Sequence, residues 1–125
     1  MKRAFICGSY RADNLKETAK NILKAQEVAR EYWKKGYFVM CPHMNSAFFD
    51  FDIKVSILGE NTFSTYVTKQ KKKISDKIFL KGYRNILHFF DAIILLPGWE
   101  KSEGSKDELE EALGLKLEII TEKEE

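Results

Sequence analysis

The sequence predicts an α/β fold: a small doubly wound, three-layer sandwich with a mainly parallel sheet of four to five strands. Apolar runs of strand length alternate with segments of helical spacing, which implies right-handed crossovers and a sheet covered on both faces. The run at 92–96 is continuously apolar, as in a parallel strand buried on both faces. Because 125 residues suit one core, we expect a single Rossmann- or flavodoxin-like domain over residues 1–125.

The N-terminal part of the chain supplies two strands and a long helix. Residues 5–7 form a short apolar run that stops at Gly8, which predicts a buried strand followed by a tight loop. Asn14, in a capping-box pattern, and Gly36, typical of a left-handed turn, bound a stretch of helical apolar spacing. The apolar run at 37–41 predicts the second strand.

The C-terminal part is clear except for one segment. Residues 51–73 alternate only weakly in hydropathy, so we expect a lid or insertion that contains a short hairpin or a short helix. Helical spacing resumes at 79–90 and again at 105–113, and a last strand is predicted over 116–120.

Three loops lie at the edge where such sheets bind ligands, namely 8–13, 42–50 and 97–105. In the first loop Gly8 lets a ligand approach the backbone, and Arg11 offers a planar fork suited to phosphate or carboxylate. The loop lacks the G-x-G-x-x-G dinucleotide fingerprint. The alternative interpretation is an ordinary strand-to-helix turn with a solvated arginine.

Two interpretations are open for Glu108. With Ser105 it forms a capping-box pattern, which would explain both residues structurally. Its place in the first helical turn at the ligand-binding edge would instead allow its carboxylate to attack a sugar anomeric carbon. His43 follows the second strand and is expected to face the same cleft.

Composition excludes several classes of protein. The net charge of +2 hides an acidic segment, because residues 100–125 carry ten acids and four bases. This balance does not favour a nucleic-acid surface, and no apolar run approaches the roughly 20 residues of a membrane helix. The apolar run near the N-terminus is too short for a signal peptide, and two cysteines make no disulfide framework, so we expect a cytoplasmic setting. No residues have metal-ligand spacing, so no metal and no cofactor are predicted.

Several motifs resemble known families. Residues 5–11, F-I-C-G-S-Y-R, resemble the opening of the nucleoside 2-deoxyribosyltransferase superfamily, especially its nucleotide N-glycosidase branch. Residues 102–112 resemble the S-x-G-x-x-x-E-L-x-x-A signature of that superfamily. The small domains grouped as DUF4406 are similar at four further segments: 33–37, 41–45, 79–82 and 95–102.

The resemblance implies cleavage of an N-glycosidic bond to a deoxyribosyl group. The carboxylate matching Glu108 attacks C1′ and forms a glycosyl-enzyme, which water or a second base resolves. Serine at position 102, where enzymes for free nucleosides tend to carry aspartate, favours a nucleoside monophosphate. The matching loops imply ten substrate-binding residues, of which Ser9, Arg11, Ser102 and Gly104 would hold the sugar and phosphate; the others are Gly8, Tyr10, His43, Asn45, Asp50 and Trp99.

One departure from the family pattern concerns the proton donor. Relatives usually have an acid after the glycine of an F-L-x-G motif, and this chain has Tyr83 there. A departing base needs a proton, and a tyrosine of ordinary pKa donates weakly at neutral pH. Either Tyr83, His43, Asp50 or Asp52 replaces the acid, or the reaction has been lost.

Three function hypotheses follow. The first is a deoxyribosyl hydrolase or transferase with Glu108 and Tyr83 as catalytic residues. The second is a non-catalytic nucleotide-binding or sensing domain, and the third is a phosphoribohydrolase-like enzyme, whose P-G-G-x-G-T-x-x-E motif residues 97–108 resemble loosely. The expected partner is a nucleotide or nucleoside, with no nucleic acid and no membrane, and the relatives imply a homodimer or larger homo-oligomer.

Overall fold

The computed structural model of the chain describes residues 1–123, except for the side chain of Thr68. Residues 124 and 125 of the predicted domain lie outside this range. Residues 1–123 form six strands and four α-helices, which are, in order, β1 (Arg3–Cys7), α1 (Leu15–Lys34), β2 (Phe38–Met40), α2 (Pro42–Asn45), β3 (Phe51–Gly59), β4 (Thr62–Gln70), α3 (Asp76–Ile86), β5 (Ala92–Leu95), α4 (Glu103–Gly114) and β6 (Glu118–Thr121).

The main sheet is parallel and four-stranded, with the order β2-β1-β5-β6. The predicted doubly wound α/β fold is therefore confirmed. Alternate residues of β1 face opposite layers: Ala4 and Ile6 pack with α1, whereas Phe5 and Cys7 pack on the side of α3 and α4. This alternation places the Cys7 side chain, at the carboxyl end of β1, against α4.

The boundaries of α1 agree with the sequence. The Asn14 side chain caps the helix by accepting a hydrogen bond from the Glu17 backbone N–H at 2.9 Å. Gly36 follows the helix with a φ of 90°, a left-handed conformation that glycine adopts without steric penalty. Both predicted signals are thus confirmed.

The predicted start of α4 is wrong by two residues. Ser102, in an extended conformation, is the N-cap, and its hydroxyl accepts a hydrogen bond from the Ser105 backbone N–H at 3.1 Å. The helix begins at Glu103, so Glu108 lies in the second turn rather than the first. The expected Ser105–Glu108 capping box does not form, because Ser102 already performs that task.

The segment predicted to be a lid or insertion, residues 51–73, contains a β-hairpin, and the short helix that was the alternative is not found there. Strands β3 and β4 pair antiparallel, with irregularities near each end. Ile53, Val55 and Ile57 share one face and lie opposite Val67, Thr65 and Phe63 on β4. Within residues 1–123, no helix combines the length and hydropathy that a bilayer crossing requires.

Helix α3 begins earlier than the spacing at 79–90 suggested. Ser75 caps it by accepting from the Lys77 backbone N–H, and the helix ends at Ile86, followed by a 3-10 turn over Leu87–Phe89. The early start brings Asp76 and Lys77 to the edge of the sheet where the first loop lies.

Candidate functional site

A cavity of about 410 Å³ opens at the carboxyl edge of the sheet. This volume lies within the usual range for small-molecule sites. The cavity is bounded by the loop after β1, by α2, by α3 and by the N-terminal half of α4. The structure brings together nine of the predicted site residues in its lining: Gly8, Ser9, Tyr10, Arg11, His43, Tyr83, Ser102, Gly104 and Glu108.

Glu108 is buried where α4 meets the end of β1. Burial raises the pKa of its carboxyl to about 7, and the negative charge of Asp107 adds to this effect. The neighbouring Cys7 thiol and the positive charge of Arg84 act in the opposite direction. Glu108 caps no helix and lines the cavity, and with a pKa of about 7 its carboxyl is partly ionised at neutral pH.

Two buried polar side chains adjoin Glu108. The Cys7 sulfur lies 3.4 Å from the carbonyl oxygen of Ser105, and burial raises the pKa of the thiol, which keeps it protonated as a donor. The Ser105 hydroxyl has no hydrogen-bond partner among the described residues. From the sequence, Cys7 has no predicted role in the site and Ser105 is predicted to be a cap, because the strand-to-helix contact that joins them is tertiary.

Tyr83 reaches the cavity from α3 with its hydroxyl in a hydrogen-bond network. The hydroxyl accepts from the Asn45 amide at 3.1 Å and donates to the Ser46 hydroxyl at 3.0 Å. The Ser46 hydroxyl in turn donates to the Pro42 carbonyl at 3.0 Å. Asn45 therefore contributes to the site by positioning Tyr83, and Ser46 is a lining residue that carried no sequence signal.

The loop after β1 is fixed by aromatic side chains. The His43 ring donates from Nε2 to the Ser9 carbonyl at 3.0 Å, and burial lowers the pKa of the imidazole. The Tyr10 hydroxyl donates to the Ser46 carbonyl at 3.1 Å and accepts from the Phe48 backbone N–H at 2.9 Å. His43 thus lines the cleft as expected, as a neutral ring that supports the loop.

Arg11 is an anchored side chain, so its interpretation as a solvated arginine is wrong. Its guanidinium donates to both carboxylate oxygens of Asp50, at 3.1 and 3.2 Å, and to the Ile74 carbonyl at 2.8 Å. A further N–H group donates to Asp76 at the cavity rim. Asp50 does not line the cavity and acts through Arg11, which it orients.

Trp99, predicted to bind substrate, does not line the cavity. The chain turns at Gly98, which has a φ of 84°, and the Trp99 side chain packs against the core layer beneath α4. Gly8 lines the cavity, yet packing also requires it: a Cβ atom there would lie 2.8 Å from the Leu96 Cβ. Asp52 lies on the hairpin, where it pairs with Lys71 at 3.0 Å.

The charged lining of the cavity carries both signs. Three cationic side chains, Arg11, Lys77 and Lys101, face four carboxyl groups, which belong to Asp76, Glu103, Asp107 and Glu108. Among residues 1–123, no three His, Cys, Asp and Glu side chains are grouped so that they could hold a metal ion. The arrangement suits a ligand with a polar, hydrogen-bonding body.

Comparison with known proteins gives one family. The model of DUF4406, a domain of unknown function, matches residues 14–121. The matched range spans the hairpin, α3 and α4, and it begins after the loop that follows β1. No curated protein matches the chain. Because the match covers most of the 125 residues, the chain belongs to the DUF4406 family.

Proposed function

We propose that this protein is a nucleoside 2-deoxyribosyltransferase-like enzyme that cleaves or transfers the N-glycosidic bond of a (deoxy)nucleoside monophosphate. The observation that carries the proposal is the buried carboxyl of Glu108, which lines the cavity and has no capping role. A buried carboxylate interacts strongly with positive charge that develops on a sugar ring, because little water competes.

The reaction would proceed in two displacements. The Glu108 carboxylate bonds to C1′ while the C1′–N bond breaks, and the electron pair of that bond leaves with the base, which takes up a proton. Water or a second base then attacks C1′, gives a proton to the group that protonated the departing base, and releases the carboxylate. A pKa of about 7 leaves a large fraction of Glu108 ionised and competent for attack at neutral pH.

Tyr83 is the proposed proton donor. Of the four groups considered for this task, Asp50 is engaged by Arg11 and Asp52 lies on the hairpin, both outside the cavity lining. His43 lines the cavity, but its lowered pKa leaves it neutral and its Nε2–H is bound to the Ser9 carbonyl. Tyr83 lines the cavity, and the proton that its hydroxyl gives to the base is returned by the water or second base that attacks C1′ in the second displacement.

A nucleotide panel tests the proposal. Wild-type protein incubated with deoxy- and ribonucleosides and their 5′-monophosphates should release free base from a deoxynucleoside monophosphate, as measured by chromatography. Glu108→Gln should abolish release, whereas Glu110→Gln, an exposed acid on the same helix, should not. Absence of cleavage with every member at high enzyme concentration would exclude the enzyme.

A second variant tests the donor. Tyr83→Phe removes the hydroxyl and should lower the rate by about 10²-fold or more if Tyr83 protonates the base. Tyr66→Phe, at an exposed position of the hairpin, is the matched control and should leave the rate unchanged. An unaffected Tyr83→Phe enzyme would show that another group donates the proton.

The alternative is a non-catalytic nucleotide-binding or sensing domain. The observation that favours it is Tyr83 in place of the family's acid, with its hydroxyl already bound to Asn45 and Ser46. In that case nucleotides should raise the melting temperature without turnover. Preference for ribose over deoxyribose monophosphates would instead favour the phosphoribohydrolase-like enzyme.

We further propose a cytoplasmic homo-oligomer. The two cysteines, Cys7 and Cys41, are free and buried, which suits a reducing compartment. The uncharged, exposed apolar face of the hairpin, which includes Val55, Ile57 and Phe63, is where we expect a second copy to pack.

A further inference from the structure

Arg11 is held by two carboxylates that differ in their surroundings. Asp50 is buried, with 8% of its side chain exposed, and grips the guanidinium through both oxygens. Asp76 is 84% exposed and contacts the guanidinium from the cavity rim through a single oxygen. The first contact orients Arg11, and the second occupies the N–H group that is directed toward the rim.

The position of Asp76 makes its contact easy to exchange. Because the Asp76 side chain is 84% exposed, water competes for its carboxylate, and an ion pair with so exposed a partner contributes little to stability. Asp76 is also the first residue of α3, where the positive end of the helix dipole stabilises a carboxylate without help from Arg11. Loss of the contact therefore leaves Asp76 in a favourable place.

We propose that Asp76 is a specificity-determining residue. Its carboxylate occupies the place on the Arg11 guanidinium where an oxygen of the ligand phosphate would bind. A ligand phosphate must displace the Asp76 carboxylate to reach the guanidinium, which Asp50 keeps in place. The residue thus weakens binding of the phosphorylated ligand relative to its nucleoside. This inference rests on the proposed function, since it concerns the phosphate of the same nucleotide.

The competition between Asp76 and phosphate should change the affinity for the ligand by a predictable factor. The fraction of protein in which Arg11 is free of Asp76 scales the apparent affinity for the phosphate. Loss of the Asp76 carboxylate removes both its ion pair with Arg11 and a negative charge near the phosphate, and should raise the affinity for a monophosphate by about three- to tenfold. Affinity for the matching nucleoside, which carries no phosphate, should change by less than about twofold.

The test compares two rim acids of the same exposure. Asp76→Asn removes the negative charge of the carboxylate that contacts Arg11. The control, Glu103→Gln, removes the negative charge of the first residue of α4, which is 87% exposed and paired with Lys106. The four deoxynucleosides and their 5′-monophosphates are titrated by calorimetry against wild type and both variants. We expect the monophosphate-to-nucleoside affinity ratio to rise in Asp76→Asn by more than in Glu103→Gln.

Three outcomes overturn the inference. An unchanged ratio in Asp76→Asn would show that Asp76 does not compete with phosphate. An equal rise in both variants would show a general charge effect of the rim. If no nucleotide binds wild type or Asp76→Asn, the inference and the proposed function fail together, whereas binding with an unchanged ratio removes the inference alone.

Discussion

Strands β5 and β3 both contain β-branched residues, yet they have opposite surroundings. All four residues of β5 are buried, and Ile93 and Ile94 are fully so. In β3, Ile57 is 74% exposed and Val55 is 57% exposed. Strand β5 lies between β1 and β6 with helices on both faces, whereas β3 pairs with β4 and packs on no other element extensively within the described residues.

The difference shows that strand propensity and burial are separate properties. β-branched residues favour an extended backbone in both places. Burial depends on what covers the strand, and the helices of the sandwich cover the main sheet alone. The main sheet and its helices, here called the body, should therefore supply most of the free energy of folding, while the hairpin contributes a surface.

The strongest test of this comparison is one substitution made in both regions. Ile94→Ala removes buried methyl groups from the middle of the sheet and should lower the free energy of unfolding by about 2–5 kcal/mol. In the monomer, Ile57→Ala, at the exposed position, should change it by less than about 0.5 kcal/mol. Urea unfolding followed by circular dichroism measures both, and equal losses would mean that the hairpin is part of the core.

The second test compares a buried carboxyl group of the body with an exposed carboxyl group of the hairpin. The pKa of Glu108 rises from 4.5 to about 7 on folding, so the folded state binds the extra proton between these values and stability falls as the pH rises through them. At pH 8 the ionised carboxylate should destabilise the fold by about 3 kcal/mol. Glu108→Gln should therefore stabilise the protein at pH 8 and much less at pH 5.

Glu60→Gln, in the exposed hairpin turn, is the charge-matched control for that experiment. Its stability relative to wild type should not depend on pH beyond the small changes typical of surface sites. Because His43 titrates equally in all three proteins, its contribution cancels from the differences. A Glu108→Gln variant without a pH-dependent gain would mean that the carboxyl is more hydrated than its burial implies.

The sequence predicted the body well and the insertion poorly, for one reason. Continuous apolar runs and capping residues such as Asn14 specify elements locally, and their alternation specifies the topology. Residues 51–70 have the composition of a half-buried strand pair, and nothing local indicates that no layer covers them. The hairpin was therefore only one of two alternatives.

The site divides in a similar way. Residues in the three edge loops could be placed in the cavity, because parallel topology fixes where strands end. The contacts of Arg11 with Asp50 and Asp76 could not be predicted, since they join segments 39 and 65 residues apart. The error at Ser105 arose because Ser102 and Ser105 both fit a capping pattern, and only the backbone decides between them.

A smaller effect is expected from glycine substitution. Gly8→Ala places a methyl group 2.8 Å from the Leu96 Cβ, an atom close to the backbone that cannot move aside, and should lower stability by about 1–3 kcal/mol. Gly59→Ala in the hairpin meets no atom within 4 Å and should be nearly neutral. Thermal melts of the two variants compare them directly, and equal melting temperatures would contradict the close packing at the end of β1.

The smallest effect on the body should follow excision of the hairpin. Replacement of residues 53–67 by Asn-Gly closes a short turn and retains Asp50, whose carbonyl accepts from the Lys71 backbone N–H at 2.7 Å. Compared with the monomeric wild type, the melting temperature should change by no more than about 2 °C, because few buried contacts are lost. Asp50→Asn, which breaks the buried pair with Arg11, should lower the melting temperature by more than this.

If a second copy covers the hairpin, sedimentation should show the excised protein as a monomer, and an unchanged mass would place the oligomer contact elsewhere.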